Sequence, residues 1–147
     1  MLYDRLMKKL LVILVPSLLW CNVSYSDDLK GKKIFCHPVG SLPNYMSFEF
    51  KSFSKVEVID ITPYASDDYL GKESYTVTSH KYETTIQHII IKNFKNVDEI
   101  KLGRKNLTLM SYQGYSCDLT SKNENLRKKM KNIHNKLIIK AKSKNKI

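Results

Sequence analysis

A cysteine beside a histidine holds the parts of a thiol nucleophile or of a metal site, and the segment KKIFCHPVG sets Cys36 next to His37. A Cys–His nucleophile needs the imidazole within hydrogen-bond reach of an exposed sulfur. Successive residues of an extended segment point to opposite faces. Cys36 then shares a face with Ile34, and His37 with Phe35, so the pair is badly placed for general-base chemistry. The remaining histidines of the mature chain, His80, His88 and His134, are scattered, with no HxH or HExxH spacing among them. His88 alternates with Ile86 and Ile90, which predicts a buried, hydrogen-bonded imidazole in preference to a ligand. A GxSxG elbow, a phosphate-cradling glycine loop, paired CxxC and an EF-hand loop are all missing. No catalytic residue, no metal ligand and no cofactor is therefore expected.

The cysteines have a simpler use. Arg5, Lys8 and Lys9 precede an apolar run from Leu10 to Trp20, too short for a membrane-spanning helix and the right length for a secretory signal. Small residues at Ser24 and Ser26 place cleavage near Ser26–Asp27. Cys21 and the single tryptophan, Trp20, leave with that segment. Cys36 and Cys117 remain, and an exported chain meets an oxidising compartment, so they are expected to pair. Cys117 shares a strand face with Tyr115 and Leu119, as Cys36 does with Ile34. A meander that curls round brings these first and last strands together.

Charge divides the chain. Residues 27–121 hold 12 Lys/Arg against 12 Asp/Glu, whereas residues 122–147 hold 10 basic residues against Glu124 alone. The net charge of +11 thus belongs mostly to the tail. Nucleic-acid recognition on a strand platform needs basic and aromatic residues interleaved on the strands themselves, so no nucleic-acid partner is expected.

The body shows alternation and turns in place of helical periodicity. Met46, Phe48 and Phe50 alternate with Ser47, Glu49 and Lys51, a half-buried strand. In SKVEVIDI (54–61) the pattern changes phase, from Val56 and Val58 to Ile59 and Ile61, which predicts a bulge or burial on both faces. Further strands are expected around Tyr75 and Val77, over 84–91, at Ile100 and Leu102, at Leu107 and Leu109, and at Tyr115 to Leu119. Gly103 to Asn106 and Gln113-Gly114 are turn sequences. The expected fold is all-β with a C-terminal helix: a small antiparallel up-and-down meander of about eight strands, curled or closed into a barrel. Its organisation is a cleaved signal over 1–26, a β-barrel-like domain over 27–121, and a basic amphipathic helix with a frayed tail over 122–147. The long connection around 61–73 supplies a candidate binding loop with Tyr64, Asp67, Asp68 and Tyr69.

Ser121 and Glu124 form a capping box that opens a helix over about 122–141. Leu126, Met130, Ile133 and Leu137 recur on one face. Lys128, Lys129, Lys131 and Lys136 fall mostly elsewhere and make a candidate basic contact surface. The stripe is expected to pack on the barrel.

The succession DLKGKKIFC, YMSFEF, KVEVIDI, GRKNLTLMSYQGYSC and a lysine-rich helix resembles small uncharacterised exported β-rich proteins of low-GC marine bacteria. That group has no established activity, so the resemblance implies localisation alone. The functional expectation is an exported (periplasmic or secreted) non-enzymatic binding module. Its partner would be an unknown protein or envelope surface, with weak anionic membrane contact through the helix. The alternative is a lipocalin-like carrier of a small apolar ligand, with Met46, Phe48, Phe50 and Tyr75 lining a cavity.

Overall fold

The computed structural model of the protein describes residues 29–40, 44–62, 74–110 and 114–144. The expected signal segment, its cleavage site and the candidate loop residues Tyr64, Asp67, Asp68 and Tyr69 lie outside these residues. Seven strands form one antiparallel sheet: β1 (Lys33–Pro38), β2 (Tyr45–Phe50), β3 (Lys55–Ile61), β4 (Tyr75–Thr84), β5 (His88–Phe94), β6 (Val97–Gly103) and β7 (Tyr115–Leu119). The spatial order is β6-β5-β4-β3-β2-β1-β7, so the chain meanders through six strands and returns to the free side of β1. The sheet curls into a half-barrel with one helix, α1 (Leu126–Lys144).

Alternation on β1 to β3 builds the inner face. Ile34, Cys36, Met46, Phe48, Phe50, Val56 and Val58 point inward and meet Ile89 and Ile91 of β5 and Ile100 and Leu102 of β6. The phase change in β3 is burial on both faces and not a bulge, because its pairing with β2 and β4 runs without interruption. Ile59 and Ile61 point outward and are covered by Leu126 and Met130 of α1, with Phe35, Tyr45, Tyr75, Ile133 and Leu137 packed around them. The helix therefore lies on the outer face of the sheet. Tyr75 stands there as well, away from the face of Met46, Phe48 and Phe50.

The expected strand at Leu107 and Leu109 shrinks to a single bridge, Leu102 to Leu109. After the turn at Gly103, the amide of Gly103 donates to Thr108 O at 2.9 Å and that of Met110 to Lys101 O at 2.8 Å. This short return covers part of the outer edge of β6, and Leu109 fills the core. The strand expected over 84–91 is likewise divided, since β4 continues to Thr84 and β5 begins at His88. Thr85 closes the turn between them, its Oγ1 accepting from the His88 amide at 2.9 Å. Ile86 is consequently a turn residue, 81 % exposed, and Ile89 and Ile91 take the core positions. His88, half-buried, faces the other way from them, contrary to the buried imidazole expected from sequence.

The helix starts later than the capping box implies. Ser121 Oγ accepts from the Asn123 amide at 3.3 Å, and the Glu124 amide donates to Ser121 O, which makes a turn. The Lys33 ammonium donates to the carbonyls of Lys122 (2.9 Å) and Glu124 (2.7 Å). With the Glu124 carbonyl engaged by Lys33, the Lys128 amide donates instead to Asn125 Oδ1 at 3.0 Å. Asn125 is thus the residue that caps α1.

Under the helix, Ser47 sits fully buried between Phe35 and Ile59 in the register of β1, β2 and β3, with no hydrogen-bond partner for its hydroxyl. A buried hydroxyl without a partner costs about 1 kcal/mol or more. Ser47→Ala keeps the volume low enough for α1 to approach and removes the orphan. It is expected to raise stability by about 1 kcal/mol in denaturant unfolding. A loss of stability would show that the hydroxyl is satisfied in solution.

Candidate functional site

The sequence-selected residues separate in the fold. Cys36 and Cys117 lie directly opposite each other in the β1–β7 ladder and are joined by a disulfide, with Cα atoms 4.0 Å apart. The sulfur chemistry at KKIFCHPVG is therefore a cross-strand clasp. His37 faces outward, its ring stacked 6.5 Å from Phe35 and its Nδ1 3.9 Å from Asp118.

The four lysines of the candidate contact surface divide between two flanks of α1, because a period of 3.6 residues places 128 and 131 on one side and 129 and 136 on the other. Lys129 is engaged: its ammonium is 2.8 Å from Glu124 Oε1 and 4.2 Å above the Phe35 ring. Lys136 is exposed and outside any cleft described. Lys128 and Lys131 line a groove of about 770 Å³ between α1 and β4, with Tyr75 and Val77 beneath and Asn135 and Ile138 further along the helix.

Two contacts hold the groove's wall in place, an exposed ion pair and a buried hydrogen bond. Arg127 forms a two-pronged hydrogen-bonded ion pair with Glu57 of β3, its Nε 2.8 Å from Oε1 and a terminal nitrogen on Oε2. His134, which the stripe reading overlooked, is 6 % exposed on the packed face, with Nε2 2.8 Å from Ser74 Oγ and its ring 5.5 Å from Tyr75. A serine and a histidine at this distance have the spacing of a nucleophile and its base. Ser74 is only 3 % exposed, so its oxygen is not presented to the groove, and the pair fastens the start of β4 to the helix. Burial raises the Tyr75 hydroxyl above its ordinary pKa, against the lowering effect of Arg127. The signal for His134 was available: it lies four residues beyond Met130 on the same face.

The Arg127 hydrogen bond holds the Glu57 carboxyl below its usual range, with burial opposing and Lys51 assisting. A depressed carboxylate pKa contributes stability above the unfolded value of about 4.3, and that contribution is lost as pH falls through the folded value. Glu57→Gln is therefore expected to lower the denaturation midpoint at about pH 7, with the gap from the native chain closing by about pH 3. An equal gap at both pH values would mean that packing and not charge holds this contact.

A second cluster lies at the rim. Asp60, 2 % exposed on the inner face, meets the Lys95 ammonium from the β5–β6 turn and the Thr62 hydroxyl at 2.7 Å. Its other oxygen has no partner. Lys95 takes a left-handed backbone, φ 52°, at this turn, a conformation uncommon for a residue with a side chain. The turn brings its ammonium back over the sheet to neutralise the buried carboxylate. No group of three or more His, Cys, Asp or Glu side chains suited to a metal ion occurs among the described residues.

At the other end of β4 a second cleft, of about 850 Å³, is lined by Ile86, Arg104, Lys105 and Met110 among others. Arg104 donates to Thr85 O at 3.0 Å and so braces that turn. Comparison with protein families, with curated proteins and with solved structures found no match for this chain.

Proposed function

We propose that the chain is an exported, non-enzymatic binding module whose contact surface is the groove between β4 and α1. The observation that carries this reading is the placement of charge on the helix. α1 has no acidic residue, and its first turn holds Arg127, Lys128 and Lys129, at the end where the helix dipole disfavours cations. Arg127 and Lys129 are paired with Glu57 and Glu124, while Lys128 and Lys131 have no acidic partner among the described residues and flank an apolar floor. A local arrangement that works against helix stability is a mark of a surface shaped for contact. Export is supported by the disulfide. No helix among the described residues is long and apolar enough to cross a membrane.

The alternative of an apolar-ligand carrier draws less support. Phe48, Phe50, Phe94 and Ile91 meet on the inner face with almost no exposure, and Tyr75 lies on the opposite side. The test of the leading reading is a photo-crosslinking residue at Val77 or Lys131, with Lys105 at the far end of β4 as control, exposed to envelope extract of the producing cell. Adducts of one mass from the groove positions alone are expected. Equal labelling from Lys105, or none from the groove, would overturn the assignment. The exported chain is expected to begin near Asp27 by intact mass, with both thiols closed to alkylation until reduced.

A further inference from the structure

The direction of each backbone group on β4 follows from the ends of its ladder with β3. The Thr62 amide donates to Ser74 O at 3.0 Å and the Tyr82 amide to Ser54 O at 3.0 Å. Even-numbered residues of β4 thus turn their N–H and C=O toward β3, and Tyr75, Val77 and Ser79 turn theirs to the other side. β5 pairs with β4 only from Tyr82 to Thr84. Beyond Ile91 the ladder with β4 stops: Asn93 takes φ 53°, and Phe94 packs on the inner face with its ring 5.3 Å from that of His80. Among the described residues, no strand meets the outer edge of β4 between Tyr75 and Lys81.

The sheet's other free edges are protected. β6 carries Asp98 and Glu99 and is partly covered by Met110, while β7 is five residues long and includes Asp118. Tyr75 to Ser79 has no charge, no proline and no bulge. Such an edge is a template for another strand unless something occupies it.

We infer that this edge receives an extended acidic segment of a partner protein, added as a strand outside β4. The inference rests on the groove reading and names its occupant. Tyr75 and Val77, whose backbone groups face the open edge, also floor the groove. Alternate side chains of an added strand would rise past Lys128 and Lys131, and carboxylates there would neutralise both. A second copy of the chain fits less well. Antiparallel pairing of two β4 edges sets both helices on the same face of the joined sheet, with their lysines opposed. A lipid surface offers phosphates to the lysines and no regular hydrogen-bonding partner to the edge.

The test uses the oxidised protein and a short fluorescent peptide of alternating glutamate and threonine. Three comparison peptides accompany it: its lysine counterpart, a scrambled glutamate peptide rich in proline, and the glutamate peptide N-methylated at alternate residues. The glutamate peptide is expected to bind at least about tenfold more tightly than each of the three, a difference of about 1.4 kcal/mol. Val77→Pro removes an outward N–H without touching the β3 ladder and is expected to weaken binding about tenfold. K128E with K131E is expected to abolish the preference for glutamate over lysine. Undiminished binding of the N-methylated peptide would overturn the inference, and it needs no variant to fold. So would a concentration-dependent dimer abolished by Val77→Pro, or binding to phosphatidylglycerol vesicles with none to the peptide. Groove crosslinks without peptide binding would overturn this inference alone, whereas loss of both would overturn the groove reading too.

Discussion

Replacing Cys36 and Cys117 together by alanine is expected to cost about 4 kcal/mol of stability. The bond closes a loop across a separation of 81 residues, for which unfolded-chain entropy sets a ceiling of about 4.5 kcal/mol. Domains of this size have a net stability of about 5–15 kcal/mol, so the loss is a large share of the whole. The structure adds a local reason. β7 pairs only with β1, through five register positions, and no other strand pairs with it among the described residues. The chain beyond β7 is Thr120, the Lys33-bound turn and α1, so loosening β7 also loosens the approach to the helix. Chemical denaturation of the oxidised protein and of the alanine pair measures the cost. A difference below about 1 kcal/mol would show that the β1–β7 ladder holds without its clasp. Both sulfurs are buried, Cys36 completely. Reduction of the native protein is therefore expected to be slow and to accelerate with denaturant.

Substituting Leu126 and Met130 by alanine is expected to cost about 5 kcal/mol in combination. Each is completely buried against Ile59 and Ile61, and truncating such a side chain costs about 2–5 kcal/mol. The two are one helical turn apart and share a cavity, so the pair is expected to cost less than the sum. An undocked helix of 19 residues rich in lysine is marginal in water. Loss of stability is therefore expected together with a fall in the helical circular dichroism signal. If the signal persisted with an unchanged midpoint, the apolar stripe would not be what holds the helix. Removing the whole tail would uncover Ile59, Ile61, Phe35 and Tyr45, so charge reversal is the better probe of the contact surface.

Periodicity carried far where the information is local. The alternation of Met46, Phe48 and Phe50 identified the inner face. The second phase of KVEVIDI marked a strand buried on both sides, and the tail's stripe marked the helix that covers it. Opposed faces for Cys36 and His37 followed from the same rule, and the clasp with Cys117 followed from curling the meander. The errors arose where one residue answers to a partner far along the chain. The Ser121 box yields to Asn125 because Lys33, on the first strand, engages the carbonyls before the helix. The local period places His134 on the packed face, but not its partner, Ser74, which is 60 residues away.

By itself, then, the sequence determined the all-β meander, its capping helix and the charge asymmetry, because each arises from short-range period or composition. It also determined the disulfide pairing, because two cysteines remain after the expected signal and a curled meander joins their strands. Only the tertiary structure decided which lysines share a groove and which are already paired. It also decided that buried Asp60 meets the Lys95 ammonium, and that no strand among the described residues meets Tyr75, Val77 and Ser79 at the edge of β4. Those outcomes depend on register and on the point where the β4–β5 ladder ends. A period of two residues states which face a side chain takes, but not which strand, if any, lies beside it.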